Sequence, residues 1–336
     1  MKQIARQVGA LWRSAIRESW ICKEAVSVVL VLGCGAGAQA APIIDLSNPV
    51  SDSISTITGI YWTGNTITVG SPNDTTPDSS GNGYTGNLLV MGGTSISSTT
   101  GVNLAGTSGY GNGIRLATNA TAPGGSGNPE ILVNLAVTNN LSMVGTDFSG
   151  GAWLNFSSIL SGAQTVTVMN RGVWNSAAQG SWGLNLVKDA SGNWQMAFQV
   201  GNGSLKETEF LSIPTEMTIT TGAWHHFGFS YDFVDGGNNV VTFWMDGVSL
   251  GTADFSIDIT AGTTTGERRF TVGERGSSTY NSVFNGTVDD VFVTTGLYEF
   301  QAVPEPGTCA MIALAGLFVV LRRWRSTGTK GCTKGC

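Results

Sequence analysis

Between Ile43 and Phe300 no stretch of twelve residues carries a helical period, and short alternating runs are punctuated by Gly, Asn, Asp and Ser. This feature constrains the chain most, because side chains that recur every second residue line one face of a strand and scatter around a helix. In His225-His-Phe-Gly-Phe-Ser-Tyr-Asp-Phe233, the residues Phe227, Phe229, Tyr231 and Phe233 keep a period of two. Asp235–Asn239 turns the chain, Val240–Met245 returns it, and Asp246-Gly247 predicts a tight hairpin into Val248–Leu250. Trp182–Lys188 and Trp194–Val200 predict a second hairpin around the turn Asp189–Asn193. Arg269–Gly273 and Phe284–Val293 predict two further strands. In the latter, Val288, Asp290 and Phe292 are expected on one face and Asp289, Val291 and Val293 on the other. Gly is 47 of 336 residues and charged residues are 12%, roughly twice and half their usual shares. Ten Trp and fourteen Phe supply apolar area that a disordered chain lacks. The expected fold class is all-β, an antiparallel two-sheet β-sandwich.

Charge separates the ends from the body. Ten of the 17 basic residues, but three of the 23 acidic ones, lie before Ala41 or after Val303. The 7 basic and 20 acidic residues between them leave the body near −13, a field that repels phosphate, so no nucleic-acid partner is expected. The N-terminus reads as a signal peptide over residues 1–40: a basic stretch, an apolar run from Ala25 to Leu32, and Ala38-Gln39-Ala40, an A-x-A site for signal peptidase between Ala40 and Ala41. Val31-Leu-Gly-Cys34 is a competing lipoprotein-type site, weakened by the bulk of Leu32. At the other end Pro304, Glu305 and Pro306 precede fifteen apolar residues to Leu321, expected as a single transmembrane helix, and then Arg322, Arg323 and Arg325, which favour the cytoplasmic side of an inner membrane. An ordinary C-terminal anchor shares the last two features. All five cysteines lie in these end segments, so the body has no disulfide to hold it and needs a sizeable core.

Two resemblances follow. The Pro-Glu-Pro triplet, apolar helix and Arg cluster of residues 301–325 resemble the PEP-CTERM sorting signal, with Ser326–Cys336 as an additional short tail. That resemblance implies export in a Gram-negative bacterium, transient membrane retention, processing by an exosortase, and a final place at the cell surface or in an extracellular biofilm matrix. In the body, Trp224-His-His226, Trp244-Met-Asp-Gly247, Phe270-Thr-Val-Gly273, Phe284-Asn-Gly-Thr-Val-Asp-Asp-Val291 and the opening turn Asp78-Ser-Ser-Gly-Asn82 resemble, in order, the motifs of LamG-like, concanavalin A-like domains. This resemblance implies one jelly-roll domain over residues 41–300, with Ala120 to Thr165 matching least. It further implies a domain that binds carbohydrate, as extracellular polysaccharide, or a surface protein.

Candidate sites follow from residue chemistry. Oxygen donors suit Ca²⁺, and the resemblance brings the opening turn, with Asp78 and Asn82, towards the closing strand, with Asp289 and Asp290, as a structural calcium site. The alternative is that Asp78 and Asn82 only bond the turn's own backbone. Trp174, Trp182 and Trp194 flank polar loops and are candidates for stacking on sugar rings, with core packing as the alternative. His225 and His226 are neighbours in a strand, point to opposite faces, and are read as structural. Glycoside hydrolysis needs a carboxylate pair; Glu207-Thr-Glu209 has the spacing without the E-x-D-x-x-E string of laminarinase-type hydrolases, so no enzyme is expected. A hydrolase or lyase with a divergent acid pair, and a passive structural protein of the envelope, are the alternatives.

Overall fold

The computed structural model describes residues 41–68, 74–89, 95–100, 112–117, 130–134, 141, 143–172, 180–260, 269–273 and 284–301. The expected signal peptide and sorting tail, including Ala40, Pro304, Glu305, Pro306 and the three arginines, lie outside them. No helix among the described residues is long and apolar enough to cross a membrane. In chain order the strands are β1 (Ile43–Asp45), β2 (Ile60–Trp62), β3 (Asp74–Thr76), β4 (Gly86–Leu89), β5 (Ser95–Thr100), β6 (Asn112–Ala117), β7 (Glu130–Asn134), β8 (Phe148–Ser158), β9 (Gln164–Arg171), β10 (Gly180–Lys188), β11 (Trp194–Asn202), β12 (Lys206–Ser212), β13 (Trp224–Asp232), β14 (Asn239–Met245), β15 (Val248–Phe255), β16 (Arg269–Gly273), β17 (Asn285–Thr295) and β18 (Glu299–Gln301). One turn of helix, α1 (Val50–Ser53), follows β1.

Sheet I runs β12-β11-β10-β9-β16-β7-β4-β3, and sheet II runs β15-β14-β13-β8-β17-β6-β5, with β2 also pairing on β17. Every pairing within the two sheets is antiparallel. The sheets stack face to face, as a jelly roll does. Their inner side chains meet ring to ring: Phe198 of β11 lies 4.8 Å from Phe229 of β13, and Trp182 of β10 lies 5.0 Å from Phe148 of β8. The expected hairpins form. β10 pairs with β11 around Asp189–Asn193, and β13 pairs with β14. Asp246 (φ 50°) and Gly247 (φ 79°) form the two-residue turn between Met245 and Val248, with both residues in the left-handed region that such a turn requires.

A second core lies on the outer side of sheet II. Ile44, Leu46, Val50, Ile54 and Ile57 cover Tyr61, Trp153, Phe292 and Phe300, all buried. β1 and β18 pair in parallel, Ile43 beside Glu299 and Asp45 beside Gln301, so the two ends of the described body form one strap over this face. β8, at the centre of sheet II, is therefore buried on both sides from Phe148 to Leu154. It lies inside the stretch that matched the family motifs least.

One expectation about faces is corrected. A β-bulge separates Asp289 from Phe292 where β17 pairs with β8, and Asp290 takes φ 49°. The extra residue resets the alternation. Val288 thus shares the inner face with Val291 and Val293, while Phe292 packs in the outer core.

Candidate functional site

The residues singled out from sequence take structural places. Asp78 Oδ1 accepts hydrogen bonds from the N–H groups of Tyr61 (3.0 Å) and Ser80 (3.0 Å) and from the Ser80 hydroxyl (2.7 Å), and Oδ2 accepts from the Tyr84 N–H (2.9 Å). Asn82 Nδ2 donates to the carbonyls of Ile57 and Gly59, both at 2.8 Å. Asp290 Oδ2 accepts from the Val50 N–H at 3.0 Å, and Asp289 Oδ1 accepts from the Asp290 N–H at 2.8 Å. These donor sets do not fit a calcium cage: the oxygens of Asp78 are spent on four protein donors, and Asn82 presents its amide nitrogen. Among the described residues no three His, Cys, Asp or Glu side chains converge. The turn is held by side-chain to backbone bonds, and those bonds fix the loop to β2.

The tryptophan expectation is corrected for two residues. Trp182 is fully buried between the sheets and donates its indole N–H to the Leu141 carbonyl at 2.9 Å. Trp194 is buried against Phe156, ring centroids 5.8 Å apart. Both sit at inward strand positions, where the apolar ring fills the core. Trp174 lies outside the described residues. Glu207 accepts hydrogen bonds from Ser256, N–H at 2.7 Å and hydroxyl, and so ties β12 to the end of β15.

The histidines point to opposite faces. His225 pairs with the inward Leu154, and its Nδ1 lies 2.8 Å from Asp246 Oδ2; Asp246 Oδ1 accepts the His226 N–H at 2.7 Å, which pins the tight turn. His226 pairs with Trp153 and lies in the outer core, 5.4 Å from the Trp153 ring and 5.1 Å from Phe300. Burial lowers its pKa to about 3, so the ring is neutral at physiological pH.

Two polar surfaces remain. On the outer face of sheet I, register places Thr167, Asn170, Asn185, Gln199 and Thr271 opposite the core. The Thr167 hydroxyl donates to Asn185 Oδ1 at 3.1 Å, and Gly183 leaves the room that Asn170 occupies. All five are buried, and ligands in bulk solvent do not reach them.

The second surface is buried at Thr294, Ser149 and Ser230 and open at its β13–β15 end, where Thr242 is half-buried and Asp232, Thr252 and Asp254 are exposed. On the outer face of sheet II, Thr294, Ser149, Ser230, Thr242 and Thr252 lie side by side across β17, β8, β13, β14 and β15. The next row holds Asp232, Val240 and Asp254. Ser230, Thr242, Asp232 and Val240 line a cleft of about 270 Å³, with Trp244 and Leu297–Glu299 around them and Ala41 at its edge. Local chemistry builds this place. Gly296 (φ 100°) turns the chain after β17, and a Cβ there would lie 3.3 Å from the Tyr298 ring. The Tyr298 N–H donates to the Ser149 hydroxyl at 3.0 Å, and the Ser230 hydroxyl donates to the Tyr298 carbonyl. Gly228 lies beside Trp244 in the sheet and lets Phe300 rest against it, centroids 5.8 Å apart, while Gly151 on the next strand leaves room for His226. The buried Trp244 indole N–H has no hydrogen-bond partner. Partial burial, with Asp147 nearby, raises the pKa of Asp232. Sequence reading passed over this cleft. The signal was present in β14, where Thr242 and Trp244 alternate with Val241, Phe243 and Met245, but Tyr298, Glu299 and Ala41 join it only through the strap.

An indole, a phenol, hydroxyls and carboxylates thus meet in one cleft, a mixture of apolar faces and hydrogen-bonding groups.

A search of the curated proteins finds no match. Among solved structures, the chain is similar to tailspike protein 2 of Escherichia coli O157:H7 bacteriophage CAB120 at 16% identity and TM-score 0.40, over 60% of this chain and 24% of that one. It is also similar to the botulinum neurotoxin serotype D binding domain at 14% identity and TM-score 0.44, over 73% and 49%, and to the botulinum neurotoxin DC binding domain in complex with SialylT at 11% and 0.42, over 70% and 48%. The chain thus spans half or less of each of these. The model of the family described as Concanavalin A-like lectin/glucanases superfamily matches residues 133–296, from β7 to the turn after β17, just under half of the chain.

Proposed function

We propose that the protein is exported, processed at both ends, and held at the cell surface or in the extracellular matrix, where its sandwich binds carbohydrate without catalysis. The observation that carries the binding role is the open cleft of Trp244 and Tyr298 beside Ser230, Thr242, Asp232 and Glu299. Aromatic walls take the apolar face of a pyranose, and hydroxyls and carboxylates take its hydroxyl groups. The superfamily whose model matches residues 133–296 includes lectins by its description, which supports this reading. The export part is supported by the A-x-A site before Ala41 and by the Pro-Glu-Pro, apolar and Arg sequence after Val303. Signal peptidase and an exosortase are the processing partners of this reading, and a surface protein is the other ligand class that the cleft accommodates.

Intact mass of the native protein from membrane and secreted fractions tests export; the expected product begins at Ala41. A glycan array probed with that protein tests binding. Affinity for matrix polysaccharide is expected, with a loss of tenfold or more in Trp244→Ala. A blank array overturns the lectin reading. Asp232 and Glu299 in one cleft favour a second reading, a glycoside hydrolase with a divergent acid pair. Release of reducing ends, abolished in Glu299→Gln, would establish it.

A further inference from the structure

The cleft on the outer face of sheet II combines features that select for one kind of polar group. Two carboxylates, Asp232 at the end of β13 and Glu299 at the start of β18, line it, and among the described residues no Lys, Arg or His does. The charged groups around it have the same sign: Asp254 lies across from Val240, and Asp147 bonds the Phe233 N–H at 2.9 Å beside Asp232. The aromatic walls Trp244 and Tyr298 have electron-rich faces that attract cations. Ser230 spends its proton on the Tyr298 carbonyl, which leaves oxygen lone pairs to accept. The exposed recognition elements in the cleft thus accept hydrogen bonds or attract positive charge; the Thr242 hydroxyl can donate as well as accept, and the Trp244 N–H is buried away from solvent.

We propose that this cleft is an ammonium-binding site, and that Ala41, which lines it, supplies the ammonium when the chain has been cut before it. The placement of Ala41 comes from the strap. The Glu299 N–H donates to the Pro42 carbonyl at 3.0 Å, and Ile43 pairs with Glu299, so the backbone of residues 41–43 runs beside residues 297–299. In the uncut chain the Ala41 nitrogen is a neutral amide. Hydrolysis of the Ala40–Ala41 bond by water leaves a carboxylate on Ala40 and an ammonium on Ala41, which lines the same cleft as Glu299. An ammonium brings three donors to a site rich in acceptors. The same chemistry is offered by a saccharide that bears a free amine, so the site discriminates amino sugars from their N-acetylated forms when Ala41 does not fill it. The Ala41 part rests on the export reading; the ammonium preference does not.

The test uses the processed protein, its N-terminus defined by mass, and the double variant Asp232→Asn, Glu299→Gln. Both side chains are exposed, and equal melting temperatures verify that the variant folds. In the first arm, acylation of the α-amine is followed by mass spectrometry against pH. An unperturbed α-amine titrates near 7.7–8.0; the wild-type amine is expected to titrate higher, with labelling at pH 8 at least threefold slower than in the variant. In the second arm, a glucosamine tetrasaccharide and its N-acetylated counterpart are titrated calorimetrically. A raised amine pKa that relaxes in the variant assigns the cleft to Ala41. An ordinary amine pKa with tenfold tighter binding of the free-amine saccharide, lost in the variant, assigns it to an external ammonium. Equal labelling in both proteins together with equal binding of both saccharides overturns the proposal. A native N-terminus other than Ala41 overturns the export reading alone, and the second arm then decides the site.

Discussion

Asp290 accepts the Val50 N–H beneath α1, and burial pushes its pKa up to about 6, opposed by hydrogen bonding from Val50 and by the facing Tyr61 hydroxyl and reinforced by Asp52. His226, packed against Trp153 and Phe300 of the same outer core, is driven the other way, to about 3, by burial alone. The two have opposite linkage. For Asp290 the folded value is raised, so its stabilisation is complete below the unfolded pKa near 3.8 and is lost as pH rises through 6. For His226 the folded value is depressed, so its neutral form stabilises above pH 6.5 and the contribution is lost as pH falls from 6.5 towards 3. Between pH 4 and 6 the slopes cancel, since each carries about 1.4 kcal/mol per pH unit. Asp290→Asn is expected to unmask the histidine limb, with stability rising by about 2–3 kcal/mol from pH 4 to 6 relative to wild type. His226→Phe is expected to show the converse, a fall of similar size. Urea unfolding at pH 4, 5 and 6 measures both; parallel profiles for wild type and variants would refute the pair.

At the scale of elements, β18 docks on sheet II because the sheet is bare beneath it. A Cβ at Gly228 would sit 2.9 Å from the Phe300 ring and 2.9 Å from His226 Cε1, and one at Gly151 would sit 2.7 Å from His226 Nε2. Gly228→Ala is therefore expected to cost about 1–3 kcal/mol, the usual range for overpacking. The loss is expected to localise, with faster hydrogen exchange at residues 299–301 and little change in β10 and β11. Uniform change across both sheets would mean that the glycine serves the sandwich as a whole. Elements also show what was legible in the sequence. The β10–β11 and β13–β14 hairpins and the Asp246-Gly247 turn are local, so alternation and turn chemistry reveal them. β8 resisted because burial on both faces erases alternation, as in Phe148-Ser-Gly-Gly-Ala-Trp153. The faces of β17 were misread because one bulged residue, Asp290, carries no signal in a period-two pattern. The buried state of Trp182 and Trp194 was one of two readings that composition left open. The cleft was hidden because its walls come from Trp244 and from Tyr298, and its edge from Ala41, which only long-range pairing of β1 with β18 unites.

For the whole molecule, that pairing ties the two proposed processing sites to stability. The strap seals an outer core in which Ile44, Trp153, Phe292 and Phe300 are buried, so neither end of the body is a free tail. Cleavage before Ala41 leaves β1 intact, and cleavage after Val303 leaves β18 intact. A cut only a few residues further in does not. Removal of β18 takes away Phe300, whose loss alone is worth about 3–5 kcal/mol by analogy with truncation of buried aromatic side chains. It also uncovers the neutral His226 and the rings of Trp244 and Phe292, an apolar patch on a body whose charge of about −13 otherwise favours solubility. A chain ending at Gln301 or Val303 is therefore expected to unfold at the same temperature as the processed protein. A chain ending at Gly296 is expected to melt at least 5 °C lower and to bind a hydrophobic dye in its folded state. Equal melting temperatures and no dye binding for the shorter chain would mean that the strap is dispensable and that the folded body does not set the boundary proposed near Val303.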